Sequence, residues 1–292
     1  MLFLNTRSIP VGGGTCPVKI YDPNNSAANL SDLASFIQGR NVLLITHGFN
    51  VNQPDGTNAL TNWAALLQLN NVAVVGMLWP GDARWIHAID YPIEGNEAIT
   101  AGNELATFIN ANFSSAVSLS FASHSLGARV VLQTISGLNL GVRRLLLMAG
   151  AIDNTCLTAE YATAATKVES ISLLASHGDD VLKWAFPAGN FLSGIFTHGL
   201  PYVHTALGRE GPASPYPNPN NIHANWQIPD AWSYGHGNYL PDATVTPDFP
   251  LTVDIPPGNP NAPPNNTPPA LDTPNNTWQP AWSAAFESTR WP

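Results

Sequence analysis

The chain has 292 residues, 44% hydrophobic and only 11% charged, with a formal net charge of -9. Lys and Arg total 11 and form no cluster, Arg143-Arg144 being the only adjacent pair, so nothing favours nucleic acid. The two cysteines, Cys16 and Cys156, are too few for a disulfide framework and lack metal spacing, which leaves one bridge or two unpaired thiols.

The opening Met1-Leu2-Phe3-Leu4 is too short for a signal core, and no apolar run is long enough to span a membrane. The expectation is a soluble protein, cytoplasmic or secreted, with compartment and oligomeric state open. Residues 2–4 and 18–21 are short strand candidates, expected at the sheet edge. Between them Gly12-Gly13-Gly14 lacks the helix and lysine of a phosphate loop. Residues 30–37 suit a short helix with Ser31 as cap.

The apolar run at residues 42–45 reads as a strand buried on both faces and leads into His47-Gly48-Phe49. Residues 57–69 have helical periodicity through Leu60, Trp63, Leu66 and Leu67. Residues 72–78 form the next buried strand, which ends at Trp79-Pro80-Gly81. An aromatic loop with Trp85, His87 and Tyr91 follows, then a long amphipathic helix over residues 94–113.

Another apolar run enters Ser123-His124-Ser125-Leu126-Gly127, and a helical pattern starts at once with Leu126, Val130, Val131 and Ile135. Strands at 143–149 and 168–175 follow, with a helix expected over 158–165 between them. Strands that alternate with helices in this way specify a parallel sheet covered on both faces by right-handed crossovers. Ligands of such sheets bind beyond the carboxyl ends of the strands. His47, Trp79, Ser125, Asp153 and Asp179 all fall there.

From residue 184 the periodicity lapses, and residues 183–235 read as an irregular cap inserted in a catalytic domain of residues 1–240. Residues 241–292 are rich in Pro and Asn yet end in large apolar side chains. They are expected to pack back on the domain as a tail.

A strand that turns sharply into a helix, with a serine between small residues, is the nucleophile-elbow pattern. A serine hydroxyl attacks only when a histidine takes its proton and an acid orients that histidine. On this kind of sheet the chain order is serine, acid, histidine. Asp179 is the favoured acid, with Asp153 and then Asp180 as alternatives. His236, the last histidine and flanked by glycines, is the favoured base over His198, His204 and His223. His47 precedes the serine and suits a scaffold role. The amides of Phe49 and Leu126 are the expected oxyanion donors.

Trp79, Trp85, Tyr91, Trp184 and Phe186 are candidates for an apolar substrate pocket or for packing. His124 adjoins the serine and is a further pocket candidate, although the turn aims it away and suits packing. No histidine pair has helical metal-ligand spacing, so neither a metal nor another cofactor is expected.

Thr46-His47-Gly48-Phe49-Asn50, Trp79-Pro80-Gly81, the Ser123 to Val130 stretch and Ser176-His177-Gly178-Asp179-Asp180-Val181-Leu182 together resemble the α/β-hydrolase superfamily. The likeness is to bacterial esterase/lipase-like members with a His-Gly-Phe-Asn loop, and it covers residues 42–239. Ser123 departs from the usual first glycine of the elbow. In that group a Ser-x-x-Asp-x-Val-Leu pattern carries the acid, which implies Asp179. The resemblance implies an α/β-hydrolase fold and a serine hydrolase that cleaves carboxylic esters, small or lipid-like, through an acyl-enzyme. Thioester or amide cleavage, or a catalytically silent binding protein on the same fold, are the alternatives.

Overall fold

The computed structural model describes residues 1–9, 15–49, 51–67, 69, 72–81, 91–183, 205–213, 222–228, 230 and 234–239. Its centre is a nine-stranded sheet. The strands are β1 (Leu2–Asn5), β2 (Lys19–Tyr21), β3 (Ala27–Ala28), β4 (Asn41–Thr46), β5 (Val72–Leu78), β6 (Ser118–His124), β7 (Val142–Met148), β8 (Val168–Ser176) and β9 (Ile222–Ile228). Their order is β3-β2-β1-β5-β4-β6-β7-β8-β9. From β1 to β9 all neighbours are parallel; β2 and β3 fold back as an antiparallel margin.

The helices are α1 (Leu30–Ile37), α2 (Gln53–Leu67), α3 (Tyr91–Asn112), α4 (Gly127–Gly137), α5 (Ala162–Thr166) and α6 (Leu207–Glu210). After β4 the chain steps to one side, to β5; after β5 it crosses back over β4 to β6, then continues in that direction. Right-handed crossovers therefore set α2 on one face and α3, α4 and α5 on the other. The direction reverses between β4 and β6, and such a reversal opens a crevice at the carboxyl ends of the two strands.

The sheet forms because its strands are apolar on both sides. Val42, Leu43, Leu44 and Ile45 of β4 are fully buried, as are Phe121 and Ala122 of β6. Each large aliphatic side chain taken from water contributes about 1.5–3 kcal/mol.

Several local expectations need correction. β1 is not an edge strand: all four of its residues are buried, and it pairs with both β2 and β5. Ser31 does not cap α1. Asn29 does, in a reciprocal box with Asp32, because its carboxamide oxygen reaches the amides of Ser31 and Asp32. α2 starts a turn earlier than its apolar period suggested. Pro54 is tolerated in a first turn, and the Asn52 side chain accepts from the Asp55 amide at 2.9 Å. α5 is shorter than expected, because the stretch before it is spent on turns such as Tyr161 N–H to Cys156 O at 2.7 Å.

β9 is an additional strand, from the stretch read as irregular. Its alternate residues Asn225 and Gln227 are buried polar groups, which hid the strand from a hydrophobic pattern. Cys16 and Cys156 are both buried free thiols, so no bridge joins them. The tail at 241–292 lies outside the described residues. Among the described residues, no helix is long and apolar enough to cross a membrane.

Candidate functional site

The end of β6 positions Ser125. Its φ is +56°, a left-handed conformation that L-residues adopt at a cost of roughly 1–3 kcal/mol. The surroundings enforce it. The Ser125 amide donates to Met148 O at 3.0 Å, and the Ser125 carbonyl accepts from Ala128 at 3.1 Å and from Ala151 at 3.1 Å. Ser123 fits where a glycine is usual, fully buried between β4 and β7.

The loop after β4 presses against this turn. A Cβ on Gly48 would stand 2.7 Å from the Ser125 Cβ, and one on Gly127 would stand 2.5 Å from the His47 carbonyl oxygen. Both positions need glycine for close approach. Gly127→Ala should therefore push the loop away and destabilise the protein by about 1–3 kcal/mol. Urea unfolding against wild type measures this; an unchanged midpoint would contradict the packing.

His47 braces the loop. Its Nδ1–H donates to Gly48 O at 2.8 Å, and its ring stacks on Trp79 with centroids 5.7 Å apart. Trp79 Nε1–H donates back to His47 O at 3.1 Å. Arg7 ties down the far side by donating to Trp79 O at 2.7 Å and Val51 O at 3.0 Å. Trp79 is fully buried and holds the loop's shape. Among the described residues, the amides of Phe49 and Leu126 have no internal acceptor. Leu126 is fully buried, and unpaired buried N–H groups are rare.

Asp179 follows β8 and is fully buried. Its Oδ1 accepts from the Leu182 amide at 2.9 Å, as an N-cap does. Its Oδ2 lies 2.7 Å from His236 Nδ1. Facing a carboxylate, Nδ1 carries the proton, so Nε2 is free to accept. Ser125 Oγ stands 2.8 Å from that Nε2. Serine, histidine and aspartate thus form one hydrogen-bonded line from three parts of the chain.

The other aspartates stand apart from this line. Asp153 spends Oδ1 on the Thr155 amide at 2.7 Å and on its hydroxyl, an Asx-type turn. Asp180 is exposed.

His236 begins a short 3-10 turn, His236–Tyr239. That turn hangs from β8 through Ser176 Oγ, which donates to Tyr234 O at 2.7 Å. His124 Nε2 lies 2.9 Å from the backbone oxygen of His236, and the two rings are 4.9 Å apart. Arg209, which sequence reasoning passed over, donates to the carbonyls of His177 and Asp179, the latter at 3.1 Å, and so grips the Asp179 loop. A lone arginine in a stretch without periodicity gave no signal for this. Trp85, Trp184, Phe186, His87, His198 and His204 lie outside the described residues, as do the side chains of Tyr91 and His223.

Two imidazoles near the site are held neutral. Burial, opposed by the Gly48 hydrogen bond and aided to a lesser degree by the Arg7 charge, lowers His47 from 6.5 to about 4. Burial, and next the neighbouring His236, lowers His124 from 6.5 to about 3. Below pH 6.5 the unfolded chain binds protons that the folded one refuses. Stability present above that pH should therefore drain away as pH falls through about 4 and about 3. Denaturant titrations from neutral pH into acid check this; a flat midpoint would contradict it. Among the described residues, no group of three or more His, Cys, Asp or Glu could hold a metal ion.

The family model described as "Alpha/beta hydrolase of unknown function (DUF900)" matches residues 24–187, more than half of the chain. The chain belongs to this alpha/beta-hydrolase family. The match takes in the strands from β4 to β8 with the loops bearing Ser125 and Asp179, and ends before His236. Comparison with solved structures finds only low-scoring likenesses. Esterase B from Lactobacillus rhamnosis is 10% identical, with 75% of this chain and 72% of that one covered and a TM-score of 0.36. Acetyl xylan esterase 1 from Thermoanaerobacterium sp. JW/SL YS485 is 13% identical, with 75% and 73% covered and a TM-score of 0.38. The acetyl xylan esterase from Paenibacillus sp. R4 is 12% identical, with 75% and 73% covered and a TM-score of 0.37. None of the curated proteins matches the chain.

Proposed function

We propose that this alpha/beta hydrolase cleaves carboxylic esters by way of an acyl-enzyme on Ser125. The observation that carries the reading is the relay of Ser125 Oγ, His236 and Asp179, with contacts of 2.8 Å and 2.7 Å. His236 Nε2 takes the hydroxyl proton as Oγ attacks the ester carbonyl. It then gives that proton to the departing alkoxide. In the second half it takes a proton from water, the hydroxide attacks the acyl carbon, and Ser125 recovers its proton. Asp179 keeps the proton of His236 on Nδ1 and stabilises the imidazolium.

Among the described residues the amides of Phe49 and Leu126 have no internal acceptor, which supports a role as donors to the oxyanion. Each such donor is worth about 2.7–4 kcal/mol in related chemistry. No cofactor enters this scheme. We place the acyl or alcohol pocket against the aromatic-rich stretches, Trp85 before α3, Tyr91 at its start, and Trp184 and Phe186 after Asp179. We keep residues 1–240 as the catalytic domain and 241–292 as its tail.

A panel of p-nitrophenyl acyl esters of graded chain length, run beside matched thioesters and anilides, tests the reaction class. Turnover of esters well above the other two is expected. Faster thioester or anilide cleavage would transfer the reading to that class. No turnover of any would favour a silent binding fold.

A further inference from the structure

The relay leaves one nearby side chain without a part in it. His124 immediately precedes Ser125, and its Nε2 lies 2.9 Å from the backbone oxygen of His236. A carbonyl can only accept, so Nε2 carries the proton and donates. Two rings pack against it at a tilt, with the His236 centroid 4.9 Å away and that of Tyr239 5.8 Å away. We propose that His124 is a positioning residue for the base: its Nε2–H anchors the His236 backbone so that the imidazole lands between Ser125 and Asp179. This rests on the function proposed above.

The backbone at His236 needs an anchor. Gly235 and Gly237 flank it, and among the described residues a Cβ on Gly237 would meet nothing within 4 Å. Glycine has more backbone freedom than other residues, so a fixed point at His236 itself limits where the imidazole can go. Ser176 holds it at Tyr234, and His124 holds it at His236 itself. His124 also belongs to the end of β6, next to the residue whose Oγ must meet Nε2. One rigid strand end therefore sets both the nucleophile and the tether of its base. A misplacement of about 1 Å costs roughly 100-fold in rate, so a tether of this kind matters kinetically.

Its chemistry suits the place as well. A cationic donor so close would oppose the imidazolium that forms on His236 during acyl transfer. Burial keeps His124 uncharged, so it donates without adding a competing charge.

The test compares His124→Phe, His124→Asn and His124→Gln with wild type. The readouts are the rate of Ser125 labelling by a fluorophosphonate and kcat and KM on a p-nitrophenyl ester. Gln reaches about as far as the imidazole Nε2 and can donate; Asn stops short, and Phe has no donor. Phe and Asn should slow labelling and kcat by roughly 10- to 100-fold with KM little changed, and Gln should recover most of the loss. Asn and Gln are alike in polarity, so their contrast separates tethering from general damage to the fold, and thermal melts verify folding. Labelling of Phe and Asn at the wild-type rate would overturn the inference, as would a Gln variant as slow as Phe. A wild type that takes no label would remove the proposed function itself, a different failure from labelled variants that all behave alike.

Discussion

Ser125→Ala should lower ester turnover by roughly 10⁶-fold, with the fold intact. The substitution removes the atom that forms the acyl bond. It leaves the 3.0 Å bond from the residue 125 amide to Met148 O and the two bonds to the residue 125 carbonyl in place, because all are main-chain. Stability should barely change, since alanine inherits the same left-handed φ of +56°. Initial rates on a p-nitrophenyl ester and a urea titration measure both quantities. Activity within tenfold of wild type would end the case for a serine nucleophile here. Activity lost together with the fold would mean that the hydroxyl serves structure.

Asp179→Asn should lower kcat by about 10⁴-fold at neutral pH without unfolding the protein. The reason is specific to this loop. Oδ1 accepts from the Leu182 amide at 2.9 Å, so the asparagine keeps its carbonyl oxygen there. Its NH₂ group then replaces Oδ2 and faces His236 Nδ1. Nδ1 must now accept, the imidazole proton moves to Nε2, and Nε2 loses the lone pair that Ser125 needs. Asp153→Asn and Asp180→Asn should leave kcat near wild type, because one residue is engaged with Thr155 and the other is exposed. Full activity in Asp179→Asn, or a collapse in Asp153→Asn, would move the acid elsewhere.

The sheet was readable because β4, β5, β6, β7 and β8 are apolar runs of strand length, and the helices between them keep a helical period. β9 was hidden because Asn225 and Gln227 break the apolar signal that a buried strand usually carries. The residues of the relay were readable individually from the small residues around Ser125, the loop after β8 and the glycines around His236. Their meeting was not, because His236 is 111 residues from Ser125 and 57 from Asp179, and no local pattern encodes contacts that distant. His124 and Arg209 act through main-chain carbonyls. Such contacts depend on where the backbone passes, so side-chain identity in a sequence gives little sign of them. Trp79 shows the converse: an aromatic at a strand end suited a pocket wall or packing alike, and the structure shows its indole stacked on His47 and bonded to its carbonyl.

The central claim is that Ser125 is an activated nucleophile. Incubation of the folded protein with a fluorophosphonate, followed by intact-mass measurement and peptide mapping, tests it most directly. The account predicts a single adduct on Ser125, formed at a rate that falls steeply in Asp179→Asn. A folded protein that stays unmodified, or an adduct on another serine, would contradict it.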